Sequence, residues 1–246
     1  MQSVYPQFGI GNEVSASGVA TGRSMQRSLT GKGLGQYAFS ESSHYTEEDV
    51  SDPKDRQALR RKLFRQWGGF WDYAAHRVLL EKSPPNMVIS RFLNALWTSG
   101  GGEAHFVMTT RHPLAVTFAH HQWSACASLS VFELVLHWLV SMETMRADLG
   151  ALPTDAYTLV QFEEFAKDPD ATLNRVYAAV GLAPHALGDA VTVRPDTNAK
   201  YRTKYCRAVR DDPAARAKHD RLVSKLGGRV KAFGYDLDAW TGEGCV

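Results

Sequence analysis

LLEKSPPNMVISRFLNALWTSGGGEAHFVMTTRHPLAVTFAHHQW, from Leu79 to Trp123, is the stretch whose reading decides the fold. Arg77 to Lys82 predicts a short strand centred on Val78, Leu79 and Leu80, ended by Pro84 and Pro85. Asn86 is placed to cap a helix from Met87 to Trp97, whose apolar residues Val88, Phe92, Leu93, Leu96 and Trp97 form one stripe. Gly100 to Gly102 close that helix. Ala104 to Met108 then reads as a strand buried on both faces, because its apolar run does not alternate. Strand, helix and strand at this length predict a right-handed crossover between parallel strands. Pro113 opens a further helix toward Trp123.

Working outward, Pro53 to Ala75 predicts a helix capped by Asp52 or Ser51, with Gly68-Gly69 as a bend or break. Ser128 or Ser130 starts a long helix reaching Leu149, apolar nearly all round and therefore buried. Ala156 to Phe162 is another strand, and Ala171 to Val180 an amphipathic helix ending at Gly181. Beyond Ala183 the pattern is harder to read. Asn198 to Arg207 is basic and aromatic, and Pro213 to Leu226 is helical with Gly227-Gly228 as its end. Met1 to Tyr45 is punctuated by glycine and reads as extended loops. Gly18 to Ser24 falls one residue short of a phosphate-cradling GxxxxGK[ST] loop, has Arg for Lys, and follows no apolar strand.

Composition narrows the function classes. With 246 residues, 44% hydrophobic and 22% charged, the chain fits a soluble globular protein of at most two domains. A net charge of +2 is too mild for a polynucleotide binder, so no nucleic-acid partner is expected. Cys126, Cys206 and Cys245 have no CxxC spacing, which disfavours a metal site or a disulfide framework; a single bridge such as Cys206 to Cys245 stays open. Met1 to Ala20 lacks the basic and apolar pattern of a signal peptide. Leu129 to Met142 is too short for a membrane span and is interrupted by Glu133 and His137. No membrane segment is expected, and the compartment and the oligomeric state are not read from the sequence.

Two cations sit just after strands, where open α/β sheets bind ligands. Arg111 follows a buried strand and precedes a proline-started helix, a place that combines a guanidinium fork with helix N–H groups. It suits a phosphate- or sulfate-bearing ligand, or else caps the sheet by bonding backbone carbonyls. Lys82 is either a second cation for such a ligand or an exposed strand-end lysine. The pair, on strands joined by one crossover, is more persuasive than either residue.

Glu81-Lys82-Ser83-Pro84 with Asn86, then Arg111-His112-Pro113 and a long helix, resemble the core of the sulfotransferases. So does Leu159 to Pro169 followed by Leu173 and Val180-Gly181-Leu182. The similarity is closer to the carbohydrate and bacterial branch than to the cytosolic enzymes. It implies a P-loop-like three-layer α/β fold with a mostly parallel central sheet. It also implies a single domain over residues 1–246, with an irregular Gly-rich segment 1–52, a core 53–182 and a basic, helical segment 183–246. The implied reaction moves a sulfuryl group from 3′-phosphoadenosine 5′-phosphosulfate to a hydroxyl or amine of a small-molecule, carbohydrate or protein acceptor, with no metal. Arg111 would hold the 3′-phosphate and Lys82 would act at the transferred group. Lys200, Tyr201 and Arg202 would close over the nucleotide.

The departures are specific. Ala119 stands where the family has a serine for the 3′-phosphate, with Thr117 as the nearby substitute. Pro84 stands where cytosolic members carry a catalytic histidine. The general base is therefore open among His44, Glu47, Glu48, Glu81, His120 and His121. Gln2 to Pro6 resembles the segment that follows the family's first strand and phosphosulfate loop, so both are expected to be missing. An alternative follows: a truncated or degenerate homologue acting as a non-enzymatic nucleotide-binding or interaction module.

Overall fold

The computed structural model describes residues 2–3, 44–68, 72, 74–81, 84–122, 126–188, 194 and 196–241. The Gly18 to Ser24 stretch lies outside these residues, as does Lys82. The fold is mixed α/β with a parallel strand pair. In chain order its elements are β1 (Gln2–Ser3), α1 (Pro53–Gly68), β2 (Leu79–Leu80), α2 (Ser90–Thr98), β3 (Phe106–Thr110) and α3 (Pro113–His120). Then come α4 (Val131–Gly150), β4 (Tyr157–Gln161), α5 (Phe162–Lys167), α6 (Pro169–Ala179), α7 (Ala199–Asp211) and α8 (Pro213–Lys231). Short 3-10 turns stand at Glu47–Val50, Pro84–Val88 and Asp238–Trp240.

The chain forms two compact units. One comprises Met1–Phe106 with Glu143–Thr158, and the other Val107–Met142 with Leu159–Val246. In the first, β1 pairs parallel with β2, Gln2 opposite Leu79 and Ser3 opposite Leu80. Its core gathers Val50, Leu63, Val88, Ile89, Phe92, Leu93 and Leu96. The apolar stripe read for the helix from Met87 supplies four of these seven, so that amphipathic pattern is what binds the 3-10 turn and α1 to it. The crossover reading needs one correction. Among the described residues β2 pairs with β1 and β3 pairs with β4, so the strands on either side of α2 are not direct neighbours. They belong to two different two-stranded sheets among the described residues, so the handedness rule for parallel strands of one sheet does not apply to this connection.

Caps explain most of the boundaries. Asp52 Oδ1 accepts the N–H groups of Lys54 (2.7 Å) and Asp55 (3.2 Å), so Asp52 rather than Ser51 starts α1. Ser130 and Glu133 bond reciprocally, Ser130 N–H to Glu133 Oε2 at 2.7 Å and Glu133 N–H to Ser130 Oγ at 3.2 Å, a capping box that starts α4. Asp168 Oδ1 takes the Ala171 N–H at 3.0 Å and Pro169 fills the first turn, which starts α6. At the other end Gly181 N–H bonds Ala178 O (3.1 Å) and Leu182 N–H bonds Tyr177 O (2.8 Å), with Gly181 at φ 67°.

Several boundaries differ from the sequence reading. The strand read over Ala104 to Met108 as buried on both faces is β3, Phe106–Thr110, in which only Met108 is buried and Val107 is exposed. Pro84-Pro85 winds the following residues into a 3-10 turn, so Asn86 lies inside it and donates to Glu81 instead of capping α2. The helix then begins at Ser90 with no side-chain cap. The basic and aromatic stretch from Ala199 to Arg207 is part of a helix, α7, with Tyr205, Cys206 and Val209 on its buried face. Finally, α8 runs through Gly227 and Gly228 to Lys231. Gly227 is buried against Val223, while Gly228 is exposed with open space where a Cβ would stand. Helical continuity here comes from the burial of Leu222, Leu226 and Val230, which outweighs the roughly 1 kcal/mol that each glycine costs.

Cys126 is a buried free thiol, and Cys206 is disulfide-bonded. Cys245 lies outside the described residues. No described helix is long and apolar enough to cross a membrane.

Gly228→Ala is expected to stabilise the protein by about 0.5–1 kcal/mol, because the helical backbone suits alanine and nothing obstructs its methyl. Thermal unfolding should show a rise of about 2–4 °C per kcal/mol for a chain of this size.

Candidate functional site

Arg111 is the natural starting point, one residue past β3 in the second unit. Its guanidinium is half-buried, and burial pushes it below the usual arginine range, opposed by Tyr201 and Glu163. Nε and Nη2 both donate to Asn198 Oδ1, at 2.9 and 2.7 Å. The same group lies over the Phe162 ring at 4.4 Å and the Tyr201 ring at 5.9 Å. One edge of the guanidinium is thus clamped and its plane lies against aromatic carbon. No described residue accepts a bond from Nη1, so the outer edge keeps the fork that matches a phosphate.

Asn198 sits at the start of α7 without capping it, since its side chain is used elsewhere. Its Nδ2 donates to Glu163 Oε1 at 2.8 Å. That oxygen also takes the His112 backbone N–H at 2.9 Å. The other carboxylate oxygen accepts from the Tyr235 hydroxyl at 3.2 Å, and Tyr235 in turn lies 3.0 Å from Thr110 Oγ1. Since the phenol donates to Glu163, its partner bond runs from Thr110 to Tyr235. Burial, foremost, pushes the Tyr235 phenol up, which keeps it a donor. Gly234, at φ 80°, makes the turn after α8 that brings Tyr235 to this carboxylate.

His112 caps α3 with its ring, Nδ1 accepting the Leu114 N–H at 3.3 Å. Its Nε2 faces the Asp236 carbonyl at 3.1 Å, and the ring stacks on Trp240 at 4.3 Å. These partners fit the neutral ring protonated on Nε2, a tautomer assigned from its neighbours. Burial lowers the pKa of His112 in agreement with that form. His120 is lowered in the same way, and His137 falls to about 3, both chiefly by burial.

The residues expected to hold a nucleotide are distributed unevenly. Tyr201 is close to Arg111, receives a bond from Gln122 Nε2 at 2.9 Å and stacks at 6.2 Å with Phe118. Lys200 and Arg202 are exposed on the first turn of α7, with the Lys200 ammonium 4.7 Å from the Tyr201 ring. Thr117 is buried on α3, and its hydroxyl has no partner among the described residues. An orphaned buried hydroxyl on the helix that follows Arg111 is a group that an anionic oxygen would satisfy. The six candidate bases divide as well. Glu47 is taken by Arg91, Glu81 by Asn86, and His121 lies 2.8 Å from the Leu129 carbonyl. In the first unit, half-exposed His44 is bonded through Nε2 to Asp148 Oδ1 at 2.9 Å, and Asp148 is buried with Oδ2 unpartnered. Burial pushes the Asp148 carboxyl up. Among the described residues no group of three or more His, Cys, Asp or Glu is arranged to hold a metal ion.

A family model described as the sulfotransferase family matches residues 11–186. The chain belongs to the sulfotransferase family. No curated protein and no solved structure matches it. As a sulfotransferase the protein is a transferase of sulfuryl groups in general terms. The matched span contains Arg111, Thr117 and Glu163 and stops before Asn198, Lys200, Tyr201 and Arg202. Glu163 and Asn198 escape the sequence reading as site residues. The available signal was a carboxylate two residues past the strand Tyr157–Gln161, whose partner strand is followed by the cation Arg111. For Asn198 no local pattern distinguishes a side chain that reaches Arg111 from one that caps a helix.

Because three histidines of this sulfotransferase are held neutral by burial, the folded state binds fewer protons than the unfolded one once pH falls below the ordinary imidazole value. Their contribution is complete above about pH 6.5 and is lost as pH descends toward the folded values. At about pH 5.5 each histidine that stays neutral costs about 1.4 kcal/mol. Melting temperatures compared at about pH 7.5 and 5.5 should show the loss, and His137→Leu should flatten the slope.

Proposed function

We propose that the protein transfers a sulfuryl group from 3′-phosphoadenosine 5′-phosphosulfate to a hydroxyl or amine acceptor. In this reading Arg111 grips the 3′-phosphate and Lys82 acts at the transferred group. Thr117 adds a hydroxyl toward the same phosphate, and Lys200, Tyr201 and Arg202 close over the nucleotide. The observation that carries it is the Arg111 guanidinium. Its inner edge is clamped by Asn198, its plane lies over Phe162 and Tyr201, and its outer edge is claimed by no described residue. An arginine that served only to cap the sheet would spend its donors on backbone carbonyls, and Arg111 bonds none among the described residues.

The nucleotide, when bound, supplies an activated sulfuryl group on a phosphate leaving group. The chain's part is to bind, orient and stabilise charge, as in other transfers through loose transition states. Arg111 and Thr117 hold the ligand from its 3′ side. The Tyr201 and Phe118 rings offer flat apolar surface near that cation. Lys82 follows β2 by two residues in Glu-Lys-Ser-Pro and contributes a compact ammonium, suited to charge building on the bridging oxygen. The acceptor class extends to small molecules, carbohydrates or proteins. The residues around Arg111 do not select among the three.

Pro84 and Ala119, which replace a histidine and a serine of the family pattern, favour a second reading in which the same contacts bind nucleotide without turnover. Adenosine 3′,5′-bisphosphate should raise the melting temperature by mass action under either reading. Arg111→Ala should abolish that shift, and an unchanged shift would remove Arg111 from the site. Sulfate transfer from the labelled donor to a panel of hydroxyl and amine acceptors then separates enzyme from binder.

Thr117→Val gives an independent check. It removes an unpartnered buried hydroxyl and should leave the ligand-free protein as stable or up to about 1 kcal/mol more stable. The bisphosphate should bind it less tightly. Equal loss of stability and affinity would show that the hydroxyl has a structural role instead.

A further inference from the structure

We propose that Glu163 is a positioning residue for Arg111, acting through the carboxamide of Asn198. The inference rests on the reading of Arg111 as the cation for the 3′-phosphate and extends it to a residue that never touches the ligand.

An asparagine beside an arginine has two orientations, related by a flip of its amide. In one, Oδ1 faces the guanidinium and accepts. In the other, Nδ2 faces it and two donors meet. Glu163 decides between them. Its Oε1 lies 2.8 Å from Asn198 Nδ2, and a flipped amide would set carbonyl oxygen against carboxylate oxygen. With Nδ2 held there, Oδ1 is directed at Arg111 and receives both Nε–H and Nη2–H, at 2.9 and 2.7 Å. The clamped edge is the side edge of the guanidinium, so the end edge bearing Nη1 points away from Asn198. The carboxylate is itself held by the His112 backbone N–H and by Tyr235. Its position is therefore set by the end of β3 and by the chain after α8, and Asn198 is set by it in turn.

The relay also explains the choice of a neutral residue at 198. Asn198 orients Arg111 without neutralising it, while the negative charge stands one side chain further away. A carboxylate directly on Nε and Nη2 would hold the arginine more firmly and compete with an anionic ligand for its charge.

The test compares adenosine 3′,5′-bisphosphate with adenosine 5′-monophosphate, by calorimetric titration of the full chain. The preference for the bisphosphate isolates what the 3′-phosphate contributes. Arg111→Ala tests the underlying reading: it should abolish the preference, and if it does not, the reading and this inference both fall. Given that loss, Glu163→Ala and Asn198→Ala should each cut the preference roughly tenfold, about what one misplaced charge-assisted hydrogen bond is worth. Neither should reduce it further in the Arg111→Ala background. Glu163→Gln retains an acceptor for His112 and Asn198 and lets Tyr235 accept instead of donate, so it should stay within about threefold of the parent. The inference is overturned, with the reading of Arg111 intact, by any of three results. Glu163→Ala could weaken both nucleotides equally, it could leave the preference unchanged, or Glu163→Gln could fail as badly as Glu163→Ala.

Discussion

The Glu163 carboxylate collects three donors from parts of the chain far apart in sequence: the His112 backbone, the Asn198 amide and the Tyr235 hydroxyl. A buried or half-buried carboxylate is costly unless its lone pairs are used, and here both oxygens are engaged. That requirement ties the end of β3, the start of α7 and the segment after α8 to one point. Around it the aromatic residues pack in a consistent order. Trp138 meets Phe233 and Tyr235 edge-on at 5.8 and 5.7 Å, and His112 lies flat on Trp240. The C-terminal segment is thereby part of the second unit's site, although its sequence offers little periodicity to announce it.

The first unit is held by different means. Its core is aliphatic and aromatic, and its polar contacts are peripheral, as in the Arg91–Glu47 pair. Asp148 is the exception, a carboxylate buried near the end of α4 with one oxygen on His44 and the other unpartnered. Burial raises its pKa, while His44 and Arg91 pull it down. A charge in that position depends on His44 remaining in place, so the residues before the Glu47–Val50 turn are anchored to α4 through one hydrogen bond.

What could be read from the sequence follows from how local each signal is. Pro53 with its preceding cap and Pro113 marked two helix starts, and Gly181 marked a stop, because such signals involve residues within one turn; α6, read from Ala171, begins two residues earlier at Pro169. The apolar run before Arg111 and the basic stretch after Asn198 were visible as composition, but the burial of that run on both faces was not borne out, since only Met108 is buried and Val107 is exposed. Strand partners were not, because β2 and β3 carry no residue that names its neighbour. Gly227-Gly228 misled for a related reason. A glycine pair is a stop signal only where no tertiary contact continues the helix, and Val230 is fully buried beyond it. Arg111 was legible as a cation just past a strand, but its clamp was not. Asn198 is 87 residues away, and only the folded chain brings an amide to that guanidinium.

That separation bears on how such a site tolerates change. An arginine placed by its own backbone alone has many rotamers, and each one frozen on binding costs affinity. Arg111 is instead restrained before any ligand arrives, by two bonds to a single oxygen and by aromatic rings on its plane. The restraint would be self-defeating if it came from a carboxylate, because the ion pair would satisfy the charge that the ligand needs. It comes from a carbonyl whose direction is fixed by a carboxylate one step behind. On the proposed reading of Arg111, preorganisation and availability are then supplied by different residues, Glu163 and Arg111, with Asn198 as the neutral link between them.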